Sequence, residues 1–522
     1  MSDPTKLSFA FSANFNTQSQ TTDHKVQEQH SGVFSIAMMG DFRGQQSSSE
    51  NTSIEERNFI VIDRYNYDEV FASMGLGLTL SLDKDNNSTV DVTLGSLKDF
   101  HPDSLYKNVE VFAQLRDLRR RLNNPSTFKQ AVEEMGGFEQ EEPVVAIQEP
   151  VVKNDLKAQN PDVPSEENTG LSFLDSIMQE TQSRAVDNGE IPKSVPMPAK
   201  ENKSAIDGLI KKLIGNHKGV ISRDARQGEM VAAIDETITL QMSNLLHHPR
   251  FQALESAWRA VHFMVKRLPH DTSLKLYLLD VSRDEIANDV DINDVTQSQL
   301  FKLFADTSMG DINWNLIVGD YRFGPDIDDI LMLSQLGVIA QHAGAQFMAA
   351  ADEKWVGCEA FAGSSNANKW LYKIEQPIED AWTMLRKSPV AKSISLALPR
   401  FVLRQPYGSK LSSVKSFGFE EMSHPPIHED YLWGNPAFLK AEQIARCFLK
   451  TGWKMQYAHV LDTEDLPVHY YEENGRTVVK PCAEIPLTDK GASQMLAKGL
   501  IPLWSFKDGD KIHSENFHSI AE

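Results

Sequence analysis

The sequence predicts an α/β (α+β) chain in which a small αβ domain precedes a larger mixed-sheet αβ domain with helices on its faces. Three observations lead there. Apolar runs of strand length alternate with amphipathic segments of helical spacing. A stretch rich in acid, proline and polar residues, 136–200, separates two patterned regions. The chain of 522 residues also exceeds what one ordinary core holds.

Residues 1–33 are rich in Ser, Thr, Gln and Asn and read as a flexible N-terminal arm. One short alternation, Leu7, Phe9 and Phe11, lies inside it. Residues 34–135 read as the small domain. FSIAMMGDF is an apolar strand ending at Gly40-Asp41, and NFIVID is a second strand. LTLSL and TVDVTL flank the turn-rich DKDNNS as a hairpin. Leu105, Val109, Phe112, Leu115 and Leu122 then share one face at helical spacing. Arg116, Arg119, Arg120 and Arg121 lie on the outer side of that predicted helix.

Gly136-Gly137 ends the helix. The linker that follows contains a β-prone patch, VVAIQEPVV, at 144–152. It also contains a short amphipathic helix, LSFLDSIMQETQS, at 171–183. Residues 201–522 read as the large domain. Two helices meet at Pro249, and the second buries Phe251, Leu254, Trp258, Val261 and Val265. Glu255 and Arg259 are spaced for an i,i+4 ion pair. SLKLYLLDVS and NWNLIVGDY are apolar strands, and ILMLSQLGVIAQHAGAQFMAAA turns from helix to strand. YAHVLD, VHYYEEN and RTVVKPCAEIPL add late strands before a helix near DKGASQMLAKG.

Charged residues make up 24% of the chain and the formal net charge is −21. That balance argues against a general nucleic-acid binder, which needs a basic face for phosphates. The three cysteines, Cys358, Cys447 and Cys482, form no CxxC pair, which fits a reducing compartment. No stretch reaches the roughly 18 apolar residues of a membrane span, and the expected location is the cytoplasm.

Catalytic constellations are weak. GxSxG, GxxxxGK[ST] and GxGxxG are absent from the sequence. His247, His248 and Glu255 invite a metal-hydrolase reading, but adjacent histidines on a helix point about 100° apart and do not converge. Asp326, Asp328 and Asp329 lack the Gly and distal Glu of a calcium loop, and DKDNNS from Asp83 has Leu94 at its twelfth position. The sequence therefore predicts no enzyme, no cofactor and no metal. Trp433 and Trp453 either stack on a ligand or seal a core or interface.

Three loop motifs, LPRFVLRQPYG, FGFEE and YLWGNPAF, occur in that order between 398 and 438. With LLHHPRFQALESAWRAVHFMV, YLLDVSRDE, SQLFKLF, VGDYRF and PCAEIPLTDKGASQMLAKGLIPL, they resemble the large subunit of the type VI secretion contractile sheath over 171–522. FSIAMMGDFRG, RNFIVIDRYNYDEVF and LKDFHPDSLYKNVEVFAQLRDLRRRL resemble the small sheath subunit over 34–135. Two proteins of the usual family would here share one chain. One departure is HVLDTEDLPVHYY, which lacks the glycine-rich turn usual before the late strands.

The resemblance implies a structural subunit that polymerises with copies of itself into a helical tube around an inner tube protein, on a baseplate, and contracts. It implies strands exchanged between protomers. Val144, Val145, Ile147 and Val151 would supply one, and segments near Val478–Val479 and Glu484–Leu487 would receive it. It also implies a recycling unfoldase ATPase that grips Leu171, Leu174, Ile177 and Met178. The alternative within the same fold is a non-contracting scaffold, collar or baseplate-associated relative.

Overall fold

The computed structural model describes residues 32–44, 54–82, 89–134, 223–290, 294–305, 312–362, 364–408, 412–455, 462–506, 509–514 and 517–522. The chain divides into two compact units, one made of 1–123 with 220–522 and the other of 124–219. The expected strand at 144–152 and helix at 171–183 lie outside the described residues.

The described part of the first unit opens with β1 (Phe34–Gly40), β2 (Ile60–Ile62), α1 (Tyr67–Ser73), β3 (Leu76–Ser81), β4 (Thr89–Leu94), α2 (Pro102–Asn108) and α3 (Glu110–Asn123). The described part of the second unit holds α4 (Phe128–Glu134). The first unit resumes with α5 (Arg223–Leu246), α6 (Pro249–Arg267), β5 (Leu274–Asp280), α7 (Arg283–Asp289), α8 (Gln299–Ala305) and β6 (Trp314–Phe323). Next come α9 (Ile327–His342), β7 (Gln346–Ala351), α10 (Gln376–Lys387), β8 (Ile394–Leu398), β9 (Phe401–Val402), β10 (Trp433–Gly434) and α11 (Pro436–Thr451). The last elements are β11 (Asp462–Thr463), β12 (His469–Glu473), β13 (Arg476–Lys480), α12 (Asp489–Ala497), β14 (Ile501–Ser505) and β15 (Ile512–Ser514). The mixed α/β architecture with helices on a large sheet is the one the sequence predicts.

A nine-stranded sheet in the order β11-β15-β14-β8-β7-β6-β1-β5-β2 forms the centre. From β14 to β5 every pairing is parallel, and antiparallel strands close both ends. Parallel strands covered on both faces read as unbroken apolar runs. FSIAMMG is such a run, and all seven residues of β1 are buried. β1 and β2 come from the segment that resembles the small subunit, yet they are strands of the same sheet as β5 to β8.

Side chains alternate across that sheet. Ala37 and Met39 of β1 join Leu279 of β5, Phe347 of β7 and Leu333 of α9 in one cluster with Trp355 and Trp382. On α6, all five residues expected on the buried face are buried. Its Trp258 packs on Phe71 with centroids 4.5 Å apart and donates to the Phe42 carbonyl at 2.8 Å.

The expected single helix over 105–122 is two. Val109 has extended backbone (φ −81°, ψ 131°), which ends α2 before α3 starts. Leu105, Val109, Phe112, Leu115 and Leu122 are all buried regardless, so the apolar spacing survives the break. The strand expected over RTVVKPCAEIPL stops at Lys480. Among the described residues no helix is long and apolar enough to cross a membrane.

Candidate functional site

Two features gather the sequence motifs: a buried ion cluster and an outlying hairpin. The cluster starts at Glu255 on α6, read from sequence as half of an i,i+4 pair. The pair exists, with Arg259 Nε 2.7 Å from Glu255 Oε1. Its larger partner is Arg404, from LPRFVLRQPYG, whose Nε donates to the same oxygen at 2.8 Å. The other edge of that guanidinium meets Glu421 of FGFEE with Nη1–Oε2 2.7 Å and Nη2–Oε1 2.8 Å. Tyr407 donates its backbone N–H to Glu421 at 2.6 Å and accepts from Arg259 Nη2 at 2.9 Å.

Two carboxylates and two guanidiniums therefore balance one another, and the Glu255 and Glu421 side chains have no exposed surface. Burial acts against the Glu421 carboxylate, but Arg404 and then His247 overcome it and hold it down to about 2. Burial likewise pushes the Tyr407 phenol up to about 12. The cluster ties α6 to both loop motifs, and a bidentate Arg–carboxylate contact fixes their mutual orientation.

The three residues of the metal-hydrolase alternative have other partners. The His248 ring caps α6 by accepting from the Arg250 amide at 3.2 Å. His247 Nδ1 lies 3.5 Å from Asp430, and Glu255 faces its two arginines. Asp326 caps α9 through the Asp328 amide at 2.8 Å, and Asp329 pairs with Arg283. The Trp433 indole donates to the His428 carbonyl at 2.9 Å and packs between protein groups. Trp453 donates to the Gly32 carbonyl at 3.2 Å. Both rings serve packing in the chain. On α3, Arg119 pairs with Asp235 of α5, and Arg120 and Arg121 with Asp117.

The hairpin of β12 and β13 forms a two-stranded sheet apart from the central one. Its tip is a two-residue turn with positive φ at both Asn474 (52°) and Gly475 (72°), the arrangement whose twist suits a hairpin. Tyr470 is 52% exposed, and 472–477 are all exposed. Among the described residues the outer edges of both strands have no strand partner. Val478 and Val479 lie on β13 as expected. Glu484–Leu487 is not a strand: Ala483 bridges Phe401, and Glu484 uses its amide on the Arg400 carbonyl at 3.0 Å. Sequence reasoning missed the role of the Glu484 side chain, whose carboxylate receives Arg400 Nη2 at 2.6 Å and its backbone N–H at 2.9 Å. Its place inside PCAEIPL, a charge in an apolar run, was the available signal.

Comparison with known proteins places the chain in a family. The family profile of VipB, a tail sheath N-terminal domain, matches residues 228–521. The profile of VipA of the type VI secretion system matches residues 16–156. The type VI secretion system sheath protein TssC1 of Pseudomonas aeruginosa is 30% identical over 303 residues, which are 56% of this chain and 61% of that protein. This chain thus spans less than two thirds of that relative's length. The chain belongs to the VipB tail-sheath family of type VI secretion, and the same polypeptide carries a VipA segment ahead of the sheath domain.

Proposed function

We propose that the chain is the repeating subunit of a contractile sheath, polymerising into a helical tube around an inner tube protein on a baseplate. The observation that carries this reading is the β12–β13 hairpin, a small sheet whose outer edges have no strand partner among the described residues. A strand lent by a neighbouring copy adds main-chain hydrogen bonds there, each worth about 0.5–1.5 kcal/mol net. The segment 144–152, with Val144, Val145, Ile147 and Val151, is the strand we assign to it. Heterologous contacts of this kind repeat without closing and give a helix of subunits. Backbone links of this type hold while bodies rotate, so contraction draws on better burial between subunits and needs no nucleotide.

Deleting 144–152 tests the reading. Electron microscopy of the purified variant should show dispersed particles where the parent chain forms ribbed tubes. Normal tubes from the variant reject the exchange, and rings from the parent favour a non-contracting scaffold of the same fold. Recycling is assigned to an unfoldase ATPase gripping Leu171, Leu174, Ile177 and Met178. A peptide of 168–184 without measurable affinity for that ATPase removes this part.

A further inference from the structure

The hairpin is held at its base in a way that its tip is not. His469 and Lys480 face each other across the ladder at the open end. Both side chains reach segment 428–433, which contains the start of the YLWGN motif, and Lys480 Nζ also donates to the Glu484 carbonyl at 3.4 Å. Tyr431 Oη lies 2.7 Å from His469 Nδ1. Lys480 Nζ lies 3.2 Å from His428 Nδ1, and its charge sits 5.4 Å and 5.3 Å from the ring centres of Tyr431 and Trp433.

His428 completes the path to the body. Its ring stacks on Trp433 at 4.8 Å, and its Nε2 is 3.2 Å from Glu484 Oε1. An ammonium can only donate, so Nδ1 accepts from Lys480 and Nε2–H donates to Glu484; this tautomer is assigned from the partners. Glu484 is in turn held by Arg400. At the tip, Glu473–Arg476 makes no hydrogen bond to the body among the described residues.

One contact at the root of a hairpin leaves it free to swivel. Two contacts, on opposite strands about 4.5–5.5 Å apart, remove that rotation. We infer that segment 428–433 is a mount that sets the direction in which the hairpin presents its open edges, with His469 and Lys480 as the two positioning residues. This rests on the reading of the hairpin as the receiving sheet for a neighbouring copy. A mount of fixed direction gives every subunit the same angle to the next.

The test uses the full chain with Tyr431→Phe and Lys480→Met combined. Both replacements keep bulk and remove only the hydroxyl and the ammonium. Hydrogen exchange of the dispersed chain should be about tenfold faster or more for amides 469–480, with the main unfolding midpoint in place. Electron microscopy should show tubes that have lost regular helical order. Lys480→Arg alone, which keeps a cation over the rings, should retain slow exchange and order. Unchanged exchange in the double variant overturns the mount, and so does faster exchange with fully regular tubes. If the parent chain forms no tubes, the sheath reading fails, while the exchange measurement still decides the mount.

Discussion

β1 and the β12–β13 hairpin meet the same physical demand in opposite ways. Each strand carries a row of N–H and C=O groups that must be paired when water is excluded. β1 has both edges taken, by β5 on one side and β6 on the other, and its side chains are buried on both faces. Among the described residues the hairpin pairs only with itself, and its outer edges have no strand partner. A complete ladder concentrates stability, whereas an incomplete one keeps backbone groups that the proposed strand exchange would use. Native proteins usually guard open edges with charge or brevity. Here Glu472, Glu473 and Arg476 surround the tip and both strands have five residues.

Substitutions can break this contrast, from the largest effect downward. Met38→Pro removes a ladder hydrogen bond in the middle of β1. It should cost ~3 kcal/mol or more and appear as loss of a cooperative melt and of soluble protein. A variant that melts like the parent would show that β1 is not central to the sheet.

Glu421→Gln leaves the buried Arg404 half-paired. It should cost about 3–5 kcal/mol in denaturant unfolding at neutral pH, without altering hairpin exchange. The pH dependence has a definite sign. The Glu421 carboxylate is held below its ordinary value, so its contribution is complete above the ordinary glutamate range near 4.5 and is lost as pH falls toward about 2. The Gln variant should therefore lose less stability than the parent across that interval, and equal losses would remove the assignment.

Gly337→Ala places a methyl against Val390 and Ile394 at the back of α9. The overpacking should cost about 1–3 kcal/mol, read from the shift in urea midpoint. Tyr470→Ala, on the exposed hairpin, should shift that midpoint by no more than about 0.5 kcal/mol. A larger loss there would mean that the hairpin is part of the core.

The strands were legible where pattern is local. FSIAMMG announces a short apolar strand, and LTLSL with TVDVTL announces a hairpin; β3 and β4 pair antiparallel. What pattern does not carry is the identity of a distant partner. Nothing in the periodicity of β1 says that it enters between β5 and β6. The same limit hid the ion cluster. Glu255 and Arg259 are four apart and visible, whereas Arg404 is 149 residues from Glu255 and invisible to any helical window. The loop motifs pointed to the right places but not to their chemistry, because FGFEE and YLWGN act through side chains that meet only after folding. The break at Val109 was missed because both helices turn the same apolar side inward.

The order in which the chain is made gives the central sheet a further consequence. Phe42, just past β1, hydrogen-bonds Asp280 at the end of β5, 238 residues later. During synthesis β1, the first of the described strands to leave the ribosome, thus waits longest among them for its neighbours, with a largely apolar surface exposed meanwhile. Such a delay invites premature association. A cell making this protein would benefit from a chaperone that shields the nascent amino-terminal part until β5 and β6 have emerged.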